Sequence, residues 1–124
     1  MITYEDFKKV EVKAGKILAA EKVPNTDKLL KLSVDFGEVR EVPDEAGRKS
    51  KLEPAPRQII SGISTFFPDP ATLVGRTCMF VTNLEPRTIK GLESNGMLFA
   101  VSDGAGNFSL LEPNASIAPG TQAA

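Results

Sequence analysis

Three consecutive pieces decide the fold: Arg57-Gln58-Ile59-Ile60-Ser61-Gly62-Ile63, Asp69-Pro70-Ala71-Thr72-Leu73-Val74-Gly75, and Arg76-Thr77-Cys78-Met79-Phe80-Val81-Thr82-Asn83-Leu84. The first reads as a strand. In the second, Asp69 is an N-cap followed by proline at the first helical position, so Pro70 to Val74 should form one helical turn that Gly75 stops. The third, Arg76 to Leu84, reads as a largely buried strand.

Upstream, Thr3 is an N-cap with Asp6 three residues on, and Ile2 and Phe7 stand where a hydrophobic staple needs them, which predicts a short helix over Tyr4 to Lys9. A strand follows from Val10 to Val23, bent at Gly15. Pro24-Asn25-Thr26-Asp27 is a turn by its residue types, and Leu30, Leu32, Val34 and Phe36 then alternate with Lys31, Ser33 and Asp35 in a second, half-buried strand. The charged, Gly- and Pro-containing segment 39–56 predicts a solvated hairpin or mobile loop.

Downstream, Gly96 to Val101 predicts a fifth strand and Phe108 to Leu111 a short terminal one after a turn-rich connection. The tail from Pro113 has little periodicity. Five short strands with a single helical turn between the third and fourth fit a small closed or partly open barrel better than a sandwich or a βαβ sheet. Periodicity alone leaves the barrel type open.

At 124 residues the chain has the length of one domain, 1–124, with its own core. No apolar run approaches a membrane span, and the N-terminus carries Glu5 and Asp6 where a secretory signal would be basic and then apolar. A cytoplasmic, membrane-free protein is therefore expected. Cys78 is the single cysteine and lies in an apolar run, where a small buried hydrophobe is the plain reading, and histidine is absent. Those two facts remove Ser-His-Asp triads, Cys-His dyads and the common zinc sites, so neither a metal nor a cofactor is expected.

The net charge of −1 does not resemble that of a nucleic-acid binder. The charge is unevenly placed, however. Residues 8–31 hold seven lysines against three acids, whereas residues 58–124 hold three basic residues against five acidic ones. A local basic face is compatible with a neutral chain.

The segment leaving the fourth strand, Asn83-Leu84-Glu85-Pro86-Arg87, continues through Lys90, Gly91, Ser94, Asn95, Gly96 and Met97. A guanidinium, an ammonium, a hydroxyl and amides on one loop suit phosphates and ribose hydroxyls, and Met97 offers a polarizable surface. The plain alternative is a long hairpin whose glycines turn the chain and whose Asn83 and Ser94 satisfy backbone groups. Asp27-Lys28 reads either as a surface ion pair or, with Lys31, as a second basic element. Most of the seven phenylalanines sit in strand patterns or beside the helical turn, favouring core or interface roles over a stacking platform for single strands.

Asp27-Lys28-Leu29, Val34-Asp35-Phe36-Gly37-Glu38, Arg57 to Ile63, Leu73-Val74-Gly75 and above all Asn83 to Arg87 through Gly91, Ser94 and Gly96-Met97 together resemble the tRNA-binding domain family. Its members form the C-terminal part of many methionyl-tRNA synthetases and also occur as free proteins. The resemblance runs from about Asp6 to Gly120. It implies an all-β, five-stranded OB-fold barrel with short helical turns and a C-terminal extension, assembly as a homodimer, and shape-directed binding at the outer corner of tRNA without catalysis. In OB barrels the first and fourth inter-strand loops flank the binding face. Carried to matching positions, it implies Lys28, Asn83, Arg87, Lys90, Ser94 and Met97 as RNA-facing residues, with Lys16 and Lys31 as electrostatic additions.

Two departures from the family pattern stand out. The first turn reads Val23-Pro24-Asn25-Thr26 in place of His-Pro followed by an acidic residue and alanine, and 39–56 looks like an insertion. The other functional classes are a chaperone-like dimer of the same fold that binds unfolded or exported polypeptide, and a carboxylate enzyme. The last would need two converging acids, which no spacing here suggests.

Overall fold

The computed structural model describes residues 1–45, 47 and 50–124. A helix, α1 (Tyr4–Phe7), opens the chain. The Asp6 N–H donates to Thr3 Oγ1 at 3.1 Å and the Thr3 N–H to Asp6 Oδ2 at 3.2 Å, the reciprocal cap expected from the sequence. It ends at Phe7, two residues short of expectation.

The strands are β1 (Val12–Lys22), β2 (Leu30–Asp35), β3 (Val39–Pro43), β4 (Ser50–Pro54), β5 (Arg57–Ser61), β6 (Thr77–Val81), β7 (Arg87–Ile89), β8 (Leu92–Ser94), β9 (Met97–Leu98), β10 (Ala100–Ser102) and β11 (Phe108–Leu110). Five of them form one antiparallel sheet in the order β5-β2-β1-β6-β9. The sheet curls into an all-β barrel of the OB type. Along β1, residues Val12 to Lys16 pair with β6 and residues Lys16 to Lys22 with β2, so one long strand serves both halves of the wall. Between β5 and the β8–β9 side, the Asn95 N–H reaches Gln58 O at 2.9 Å and the Ile60 N–H reaches Ser94 Oγ at 3.0 Å.

The alternation of β2 is realised in full: Leu30, Leu32 and Val34 are buried, with Lys31, Ser33 and Asp35 on the outer face. They pack with Ile17, Ile59, Leu73, Cys78, Phe36 and Phe80, the last two edge to face at 5.3 Å. Leu73 comes from a 3-10 turn, Pro70–Leu73, capped by Asp69 through the Ala71 N–H. The predicted turn is thus present, and its apolar residue enters the core. Burial raises the Cys78 thiol to about 11, so it stays protonated and behaves as a small hydrophobe.

Three local expectations need correction. The bend in β1 is a bulge between Ile17 and Ala19, not at Gly15. Gly15 is instead required by packing, since a Cβ there would sit 2.5 Å from Phe36 Cε1 and 2.6 Å from Val34 Cγ1. The fourth strand stops at Val81, beyond which Thr82 and Asn83 bond to the segment before β1. The expected fifth strand is broken at Phe99 into β9, paired with β6, and β10, paired with β11.

The tail is also ordered against β1. Thr121 O accepts from the Ala14 N–H, and the Gly120 and Ala123 N–H groups donate to Ala14 O and Val12 O, each at 2.8 Å. Segment 39–56 contains the exposed β3–β4 hairpin.

Candidate nucleic-acid interface

The segment after β6 is a hairpin, as the plain reading of its glycines allowed. Arg87, Thr88 and Ile89 pair with Ser94, Glu93 and Leu92, leaving a two-residue turn, Lys90-Gly91, with φ of 52° and 80°. Two positive φ values in succession mark the hairpin turn whose twist matches that of strands. Glycine accepts this conformation freely, but lysine does so at a cost of about 1–2 kcal/mol. The turn thrusts the Lys90 ammonium out at the hairpin tip.

Opposite that tip is the turn between β1 and β2. Thr26 Oγ1 donates to Val23 O at 2.8 Å, Asn25 takes φ 63°, and the Ser64 N–H holds Lys28 O at 2.9 Å. A groove of about 330 Å³ results, lined by Asn25, Thr26, Asp27, Lys28, Leu29 and Lys90. Two cations from distant parts of the chain therefore face one hollow. Among the described residues, none of the ion pairs involves Lys28, Arg87 or Lys90, and all three are exposed. Uncompensated, solvated cations can exchange counterions for phosphates at little desolvation cost.

The remaining expected residues are placed differently. Ser94 is buried, with 4% exposure; its hydroxyl accepts from the Ile60 N–H and donates to Gly96 O, so it fastens the hairpin to β5 and offers no surface to a ligand. Asn83 has both ends of its amide engaged, Oδ1 by the Glu11 N–H at 2.8 Å and Nδ2 by Lys9 O at 2.6 Å. Both side chains satisfy backbone groups. Met97 is exposed on β9.

Lys31 projects from the outer face of β2, where its ammonium lies 2.6 Å from Glu21 Oε1 across the β1–β2 pair. It lines a separate groove of about 350 Å³ with Glu21, Ser33 and Gln58. Lys16 is exposed on β1 opposite Asp35 and Thr77 and lines neither groove. The structure thus unites Lys28 with Lys90 and puts Arg87 at the hairpin root, while Lys16 and Lys31 lie apart from them.

Two residues that the sequence left without a role stand at this site. Arg57 forms a two-pronged pair with Glu38, Nε to Oε1 and Nη2 to Oε2 both at 2.7 Å. The Arg57 hydrogen bonds hold the Glu38 carboxyl below its ordinary range, and Glu38 raises the guanidinium in turn. Gln58 donates through Nε2 to Glu93 O at 2.9 Å, stitching β8 to β5. Only the weak cue of a basic residue ahead of a strand was available for Arg57. No local pattern links it to Glu38.

Among the described residues lining the groove, Asp27 is the one carboxylate. Among the described residues, no group of three or more His, Cys, Asp or Glu side chains is arranged to hold a metal, and no helix is long and apolar enough to cross a membrane.

Residues 12–122 match the family model described as "Putative tRNA binding domain". The chain is 47% identical over 122 residues to a methionine–tRNA ligase of Methanoregula boonei, covering 98% of this chain and 15% of that protein. It thus spans about 15% of the length of the curated relatives it matches. Among solved structures, a MetRS-related protein from Pyrococcus horikoshii superposes with a TM-score of 0.80 at 31% identity, covering 99% of this chain and 97% of the other. The chaperone CsaA from Bacillus anthracis superposes with a TM-score of 0.77 at 25% identity, covering 100% and 99%.

Proposed function

Since this chain belongs to the tRNA-binding domain family, we propose that it is a non-catalytic module that holds folded tRNA between the β1–β2 turn and the β7–β8 hairpin. The observation that carries this reading is that Lys28 and Lys90 line one groove, with Asp27 the one carboxylate in its lining, and that among the described residues neither lysine forms an ion pair. Lys28, Arg87 and Lys90 take phosphates, and Met97 lies against a base or sugar. Ser94 and Asn83 keep the hairpin in place. Lys16 and Lys31 are weaker electrostatic additions, that of Lys31 reduced by its pair with Glu21. Recognition is by backbone shape, because a guanidinium and two ammonium groups read phosphate spacing and not base identity.

In this reading the module lengthens the residence of tRNA beside a methionyl-tRNA synthetase, in the same chain or in a partner, in the cytoplasm. It works as a homodimer. Exposed Tyr4, Phe7 and Val10 beside the terminal residues Gln122 to Ala124 form an apolar-edged hollow of about 250 Å³ that supports a protein contact at that end.

The test is binding of a labelled, unfractionated tRNA pool, compared with an unstructured RNA of equal length, at two salt concentrations. A preference for tRNA that weakens with salt and disappears in the Arg87→Ala, Lys90→Ala double variant is the expected result. Three phosphate contacts give a log–log salt slope of about −2 to −3. Equal binding of the two RNAs, or an unaffected double variant, refutes the assignment.

A second reading, a chaperone-like dimer that binds polypeptide, draws on the likeness to chaperone CsaA and on a hollow of about 260 Å³ beside exposed Val101 and half-buried Phe108. It requires an unfolded polypeptide to bind the double variant as well as the parent protein.

A further inference from the structure

Arg57 differs in its surroundings from the other basic residues of the site. Its side chain is 25% exposed, its guanidinium lies 5.4 Å from the Phe36 ring, and two of its three nitrogens are occupied by Glu38. The third, Nη1, donates to two backbone carbonyls: Thr82 O at 2.6 Å and Asn95 O at 3.3 Å. Thr82 and Asn95 are the residues immediately before and after segment 83–94, which carries Arg87 and Lys90. One nitrogen therefore spans both legs of the loop at its base.

The two legs are otherwise held to different parts of the fold. The outgoing leg is fastened to β5 by Ser94, Asn95 and Gln58. The incoming leg is fastened to the segment before β1 by Thr82 and Asn83. A hairpin with three-residue strands is marginal by itself, so its placement depends on how its base is closed. A charged, two-pronged pair fixes the guanidinium plane more firmly than a single bond, and here that plane aims Nη1 at the two carbonyls.

We propose that Arg57, oriented by Glu38, is a positioning residue that sets the spacing of the two legs of segment 83–94 and so places Arg87 and Lys90 for RNA, without contacting RNA itself. The proposal rests on the tRNA reading above. The rival role for a basic residue here is direct phosphate contact, with Glu38 as a competitor for its charge. The two roles predict opposite signs for Glu38→Gln. Releasing Arg57 strengthens RNA binding if it contacts phosphate, and weakens RNA binding if its orientation matters.

The experiment uses the full chain with Glu38→Gln, Arg57→Lys and Arg57→Gln. It measures affinity for the labelled tRNA pool, and hydrogen exchange of backbone amides in 82–95 against those of the β1–β2 pair. Each variant should bind tRNA about tenfold more weakly, the loss expected when a charged hydrogen bond is removed. Arg57→Lys should fare no better than Arg57→Gln, because an ammonium cannot form the fork. Protection of the Thr82 and Asn95 amides should fall while the β1–β2 amides stay protected.

Tighter or unchanged tRNA binding by Glu38→Gln, retention of affinity by Arg57→Lys alone, or unchanged exchange in 82–95 would overturn the proposal. Should Arg57→Gln fail to fold, Glu38→Gln still decides the sign. If the parent protein shows no preference for tRNA, the functional reading fails, and the exchange measurement decides the base closure independently.

Discussion

Lys90→Asn should make the protein more stable and a poorer binder of tRNA. Lys90 sits at φ 52° in the first position of a two-residue turn and makes no ion pair among the described residues. Asparagine tolerates this conformation better than lysine, and Asn-Gly is a preferred pair for such a turn. Relief of part of the backbone strain should stabilise the fold by about 0.5–1 kcal/mol. With an unfolding entropy of about 2.1 cal/mol/K per residue, that raises Tm by roughly 2–4 °C for a domain of this size.

The same change removes one cation from the groove shared with Lys28. The log–log salt slope of tRNA binding should become shallower by about 0.7–0.9, the share of one phosphate contact. Thermal unfolding and a salt titration of tRNA affinity measure the two effects on one preparation. A lower Tm refutes the strain argument. An unchanged salt slope with unchanged affinity refutes the role given to the hairpin tip. Opposite movements of stability and binding identify a position where turn geometry is subordinated to ligand contact.

Other substitutions probe the parts that hold this surface. Gly15→Ala should lower stability by about 1–3 kcal/mol in urea unfolding, because the added methyl meets the Phe36 and Val34 side chains in a filled core. Ser94→Ala leaves the Ile60 N–H without its acceptor and should cost about 1–3 kcal/mol by the same measurement. Glu38, Glu11 and Glu112 are held below their ordinary values, chiefly by hydrogen bonds from Arg57, Lys13 and Arg76 respectively. A depressed folded-state value means stabilisation present above the unfolded value near 4.5 and lost as pH falls through the folded one. Denaturant midpoints should therefore drop on acidification below about pH 5, and Glu38→Gln should flatten that decline while lowering stability at neutral pH.

The proposed basic surface is compatible with a chain of net charge −1. Lys13, Lys31 and Arg57 are paired with Glu11, Glu21 and Glu38, whereas among the described residues Lys28, Arg87 and Lys90, on two loops, form no ion pair. In the proposed reading binding should depend on this local imbalance, because screening at physiological salt limits the reach of the remaining charges to about 8 Å. Lys31 illustrates the limit: in sequence it belongs to the lysine-rich stretch, yet in the fold Glu21 shares its charge.

Period-two alternation in Leu30 to Phe36, the Asp69-Pro70 cap, the Thr3 and Asp6 box and the order of short strands were legible in the sequence, since each depends on neighbours a few residues apart. They suffice for an all-β barrel, and the motifs between Asp27 and Met97 suffice for the family. The sequence also held the plain roles of Asn83 and Ser94 as an open alternative, without a means to choose it. Tertiary structure decided the rest. Whether Ser94 faces solvent or Ile60, whether Lys31 is free or paired with Glu21, which carboxylate orients Arg57, and which turn faces Lys90 all depend on segments distant along the chain. The register of an aperiodic tail against β1 does so too. Such choices are made by the closing of the barrel, because hydrogen bonds and ion pairs form only between groups that packing has already brought within about 3 Å of one another.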